Sequence, residues 1–160
     1  MQTIYPFFEW CETSAIHEAI QGHESAYPAL ETFHLFGLTL LLGTIVILSL
    51  RLMGAILKKQ PVAELAGELL PYQTTGLVLM VLSGILMFIA TAVRCYGNTS
   101  FWIKMILLAC ALTYHFAYFR KLVRKDEANI RPGRAKVGAV IALMLWFGVG
   151  IAGRSIGFFG

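Results

Sequence analysis

Four apolar runs, each bounded by charge or proline, set the pattern of this chain. They extend from about residue 30 to 53, 70 to 93, 101 to 121 and 136 to 153. In the first, no Asp, Glu, Lys or Arg occurs between Phe33 and Leu50, and most side chains are Leu, Ile, Val, Gly or Thr. Roughly 18 uncharged apolar residues suffice to cross a bilayer as a helix, so each run predicts a spanning helix. The fourth is the shortest and predicts a thin or little-tilted crossing. Short connections make consecutive spans antiparallel neighbours. The expected fold is all-α: a polytopic, up-down four-helix transmembrane bundle over residues 28–160.

Residues 1–27 read differently. Ile4, Phe7, Phe8, Trp10, Ala15, Ile16, Ala19 and Ile20 are spaced loosely as one helical face, among Glu9, Glu12, Glu18 and Glu24. This predicts a short amphipathic helix lying on the membrane surface, with Tyr5 and Trp10 at headgroup level. No basic stretch precedes an apolar core here, so a cleaved signal peptide is not expected. Tyr27-Pro28 turns the chain into the first span, since Pro is tolerated in a first helical turn.

Composition agrees with a membrane protein: 58% hydrophobic, 14% charged, and a mean hydropathy of +0.70, against about 25% charged in soluble domains. The net charge of +4 could suggest nucleic acid, but ten of the thirteen basic residues fall on two connections. These are Arg51, Lys58 and Lys59, then Arg120, Lys121, Arg124, Lys125, Arg131, Arg134 and Lys136. The positive-inside rule then predicts a bacterial inner membrane protein with both termini periplasmic, partnered by lipid and not by nucleic acid. Within the spans, Gly37, Gly43, Gly76, Gly84, Gly138 and Gly148 read as close-packing positions. Thr39, Thr44, Thr74, Thr75, Thr91 and Thr113 read as back-bonding to their own helices. Tyr96, Trp102, Phe158 and Phe159 read as outer interface anchors, and Tyr72, Tyr118 and Phe119 as inner ones.

Several motifs are shared with known proteins. Phe8-Glu9-Trp10, Tyr27-Pro28-Ala29-Leu30-Glu31-Thr32-Phe33-His34 and Leu50-Arg51-Leu52-Met53-Gly54 open the series. Ala92-Val93-Arg94, Phe101-Trp102-Ile103-Lys104-Met105 and Ala152-Gly153-Arg154 complete it. Together they resemble a family of bacterial four-span membrane proteins of unknown function over nearly the whole chain. More distantly the chain is similar to the membrane domain of the copper-resistance protein D superfamily, which implies copper handling on the periplasmic side. His17 and His23 depart from the family pattern, and a Met-rich or His-rich tail is lacking.

The candidate chemistry sits at the outer mouth. His34 lies just inside the first run with Glu31 one turn outward, and an ionisable group in a membrane is a functional candidate by default. His34 and His115, on different spans, suggest bis-histidine haem b. Yet His34 precedes Arg51 by seventeen residues and His115 precedes Arg120 by five, a difference in depth of roughly 18 Å. They are therefore not a haem pair. The same ruler sets Met87 near the depth of His34, and Met144 near that of His115. A His/Met pair can ligate haem iron or soft copper, while Met also fills apolar gaps.

His17 and His23 can join His34 and Glu31 if the surface helix folds over the bundle, a set suited to copper or zinc. Alternatively, Glu31 only complements a helix dipole and the two histidines are solvated. Arg94, Lys104 and Arg154 either meet headgroups or neutralise an anion such as haem propionate. Cys11 and Cys95 are both placed outside, where a disulfide is permitted; Cys110 reads as buried packing.

No motif of a soluble enzyme occurs, and no enzymatic activity is expected. The expected function is a small membrane protein binding a redox metal, as copper or haem, at its outer mouth, for electron transfer or metal handling with a periplasmic or membrane partner. The alternative from another class is a non-catalytic accessory subunit of a larger membrane complex.

Overall fold

The computed structural model describes residues 4–125 and 131–158; Asp126 and Phe159 fall outside them. The described residues contain no strand. Two surface helices, α1 (Tyr5–Glu12) and α2 (Ala15–Gln21), precede the long α3 (Ala26–Leu52) and α4 (Val62–Ala90). Then come the short α5 (Ala92–Tyr96), α6 (Thr99–Tyr114), a π turn (His115–Phe119), α7 (Arg120–Val123) and α8 (Pro132–Ser155). The helices α3, α4, α6 through α7, and α8 are each long and apolar enough to cross a membrane. Chain order puts α1, α2, α5 and the end of α8 at one end, called here the mouth, and residues 53–61, the end of α7 and the start of α8 at the connection end.

Local chemistry explains where the elements differ from expectation. The surface segment is two helices because the Ser14 hydroxyl accepts from the amide of His17, capping a new start. Span two begins eight residues early: Val62, Leu65 and Ala66 are buried at helical spacing while Glu64 and Glu68 face out. It breaks after Ala90, where Thr91 leaves the helical region with φ −140° and ψ 32°. The fourth span has 24 residues and is not short. Gly54, at φ 75°, closes α3 in the left-handed conformation glycine tolerates, and Arg51 Nε donates to the Gln60 carbonyl at 2.8 Å, pinning that connection.

Packing runs in pairs. Helix α3 lies closest to α4, α6 to α8, and α3 joins the pairs through α8. By contrast α4 meets the third span chiefly at α7. The tightest approach is Gly37 against Gly76. A Cβ on Gly37 would sit 2.8 Å from the Met80 nitrogen, and one on Gly76 would sit 2.8 Å from the Gly37 oxygen. Gly138 makes similar room for Leu122 and Tyr118, whereas Gly43 faces open space. The core is built from Leu41, Ile45, Leu48, Val62, Phe119 and Trp146. Phe119 is thus buried, not an interface anchor, because the π turn rotates it inward. Thr39, Thr44, Thr74, Thr91 and Thr113 donate back to carbonyls of their own helices.

Candidate functional site

The mouth is assembled by α1, α2 and α5 around the ends of α3 and α4. Phe8 packs edge-on against Phe88 and Tyr96, with ring centroids 5.4 and 5.1 Å away. Phe88 stacks on Phe101 at 5.6 Å. Cys11 and Cys95 are buried in this aromatic cluster. The last carbonyls of a helix lack partners of their own, and α2 supplies two for α4. His17 Nδ1 lies 3.3 Å from the Ile89 carbonyl and Gln21 Nε2 donates to that of Ala90 at 3.0 Å. Across the break, a Glu12 carboxylate oxygen accepts from the Val93 amide at 2.9 Å.

Beneath this lid, His34 Nδ1 is 3.1 Å from Ser83 Oγ on α4. Ser83 already donates its own proton to the Leu79 carbonyl at 2.6 Å. A hydroxyl has one proton, so Ser83 accepts and His34 Nδ1 donates. In the neutral ring this tautomer carries its proton on Nδ1 and a lone pair on Nε2, and the Met80 backbone lies within hydrogen-bonding reach of the same ring. The ring lies over Gly84, where a Cβ would be 3.2 Å from Cε1. Glu31 and Lys104 stand within electrostatic reach of it. Lys104 is only partly exposed, folded over Gly153 so that a Cβ there would be 3.5 Å from Nζ.

Several expected groupings are not formed. His17 is tied to the end of α4 and His23 is exposed, and among the described residues no three His, Cys, Asp or Glu side chains form a metal-holding group. The partner that orients His34 is Ser83, not Glu31. Met87 falls one turn mouthward of Ser83, because α4 ends at Ala90 and the depth ruler shifts with it. Met144 is 70% exposed while His115 is 2% exposed, so that pair points apart. Arg154 lies over the Phe158 ring at 5.2 Å, and Arg94 is exposed near Tyr27 and Cys95.

Cys11 and Cys95 are free thiols, not a disulfide, each packed into apolar surroundings; Cys95 Sγ lies 3.7 Å from Thr91 Oγ1. Burial pushes both thiols above their ordinary value of 9.0. For Cys95, the Thr91 hydroxyl, Lys104 and Arg94 oppose that shift and Glu12 reinforces it. Cys110 is exposed on the outside of the bundle, not buried.

His115 occupies a second polar level. It opens the π turn, stacks on Phe119 at 5.8 Å and meets Trp146 edge-on at 5.9 Å. Its Nδ1 makes no hydrogen bond to the described residues, nor do Trp146 Nε1 and both amide atoms of Gln73. Among the described residues no side chain across the bundle bonds its Nδ1; aromatic rings surround it instead. Ser83 is the mouth residue sequence reasoning passed over. A small hydroxyl inside an apolar run, near the depth of His34, was the available signal for Ser83.

A family model matches residues 7–159. The chain belongs to DUF6644, a family of unknown function. This agrees with the family resemblance of the motifs, and the match extends through all four spans without reaching the copper-resistance protein D superfamily. No curated protein and no solved structure matches the chain.

Proposed function

We propose that this protein is a small integral membrane protein that binds a redox metal at its mouth through His34 Nε2, carries it as haem, and exchanges electrons with a protein partner there. The mouth faces the periplasm from a bacterial inner membrane. The observation behind this reading is the direction of the His34–Ser83 hydrogen bond: histidines that ligate metals donate their other ring N–H to a fixed acceptor. Haem suits the surroundings better than bare copper. Copper draws on several protein donors, whereas only one imidazole is offered here, beside the cation Lys104. That lysine opposes a metal ion but suits a propionate. Haem would bring its own ring nitrogens and ask few ligands of the protein; His34 would supply one, and Met80 and Met87 each lie one turn of α4 from Ser83.

The test is absorbance with elemental analysis of protein produced with haem and copper in excess. A Soret band is expected that His34→Ala abolishes and His115→Ala leaves at full stoichiometry. Equal loss in both variants, each still folded, would return the bis-histidine arrangement. The accessory-subunit reading draws support from His17, Gln21 and Glu12, whose polar groups are engaged in holding helix ends. A colourless, metal-free sample leaves that reading standing.

A further inference from the structure

At the connection end, a groove of about 490 Å³ opens between α4 and α7. Its α4 wall includes Gly67, Pro71, Thr74 and Thr75, and its other wall carries Arg120 and Arg124. We infer that this groove binds a phosphate-bearing anion. The inference is independent of the reading of His34.

Three features point to an anion held partly below the interface. First, the guanidinium of Arg120 lies 5.5 Å over the ring of Phe116, one turn toward the mouth. Helical side chains lean toward their own N-terminus, which for this span leads away from the connection-end water. Arg120 thus reaches into the membrane where a snorkelling cation would reach out. Second, no carboxylate lines the groove among the described residues; Glu64 and Glu68 of α4 are exposed outside its lining. Two arginines one turn apart, with no counter-charge between them among the described residues, match the paired N–H donors that phosphate oxygens accept.

Third, the opposite wall offers polar atoms that α4 does not fully use. Pro71 has no N–H, so the Gly67 carbonyl lacks its helical donor. Thr74 bonds back to the Leu70 carbonyl at 2.8 Å, while Thr75 makes no such bond and keeps its hydroxyl available. An acceptor and a hydroxyl facing two cations fit a phosphate whose substituent carries hydroxyl groups, such as a glycerol headgroup. Basic pockets between spanning helices near the headgroup layer hold anionic lipids in this way. A soluble phosphate ester presents the same chemistry.

The full chain in neutral phosphatidylcholine nanodiscs provides the test, with Tm as the readout. Phosphatidylglycerol is added to the bilayer in one arm and inorganic phosphate to the buffer in the other. A saturable rise in Tm is expected in the lipid arm. Arg120→Gln/Arg124→Gln should weaken it at least about tenfold, since a charge-assisted pair is removed. Arg131→Gln/Arg134→Gln removes equal charge from the same end, outside the groove, and should leave it intact. Arg124→Gln alone, at an exposed position, gives a second measure should the double variant unfold in neutral discs.

A rise with inorganic phosphate that depends on the same two arginines sustains the site and assigns it to soluble phosphates. No rise in either arm, or equal weakening by the two double variants, overturns it.

Discussion

Between Ser83 and His34, the direction of one hydrogen bond decides what the imidazole offers its surroundings. With Ser83 accepting, the neutral ring turns its Nε2 lone pair away from α4, where the proposed metal would need it; without Ser83, the ring is free to flip. Ser83→Ala should therefore reduce cofactor retention by about 10–100-fold, the usual effect of losing a ligand's supporting partner, measured as haem loss to apomyoglobin. Glu31→Gln, lacking a direct bond to the ring, should change retention less. The thiols report the lid. Their raised pKa means the folded state holds protons that the unfolded chain releases. The stability this contributes is present below pH 9.0 and lost as pH rises above it. Alkylation of Cys11 and Cys95 should accordingly be slow at pH 8 and accelerate above pH 9, with Tm falling in parallel and Cys11→Ser/Cys95→Ser flattening that fall. Rapid alkylation at pH 8 in folded protein would show the lid to be open. His34 as an ionisable side chain inside a charge-poor run was legible; Ser83 as its hydrogen-bond partner was not. The apolar run continues to residue 93 while α4 stops at Ala90, so the run does not mark the depth of Ser83.

At the level of elements, identical residues in an apolar run carry opposite meanings. Gly37→Ala puts a methyl 2.8 Å from the Met80 nitrogen, against backbone that cannot yield, and should cost about 1–3 kcal/mol as overpacking. Gly43→Ala faces open space and should stabilise α3 by up to about 1 kcal/mol through helix propensity. Denaturant titration of the protein in mixed micelles measures both. Equal effects would mean that α3 and α4 cross elsewhere. Spacing alone marked both glycines as packing positions, since apolar neighbours on all sides erase the amphipathic contrast that would reveal a face. The same blindness placed Cys110 and Met144 inside, though both face outward. Nothing in composition announces the π turn either.

For the whole molecule, the four spans and their surface helices were legible because lipid demands long helices whose backbone bonds are internal. Span ends moved where caps and amphipathic turns reset them, and the surface segment divides in two at Ser14. The sidedness rests on the basic connections. A cysteine replacing Lys58 should be shielded from an impermeant maleimide added outside intact cells, and one replacing the exposed Gly97 should react. Position 97 is a cleaner probe than Asn98, which is buried and whose amide donates to the Ile156 carbonyl at 3.1 Å. The reverse labelling pattern would invert the molecule, and the mouth would then face the cytoplasm.

The wide turn from His115 to Phe119 makes the third span a crankshaft and not a straight rod. Its closing bond runs from the Arg120 amide to the His115 carbonyl, one residue longer than an α-helical turn. That extra residue rotates everything after it by about 100° relative to an unbroken helix. Ahead of the turn, Lys104 is aimed at Gly153 of α8; beyond it, Arg120 and Arg124 are aimed at α4. One helix thus serves two neighbours at its two ends. Removing a single residue from the turn would re-time the far throw alone, swinging both arginines off their groove while leaving the lysine where it stands.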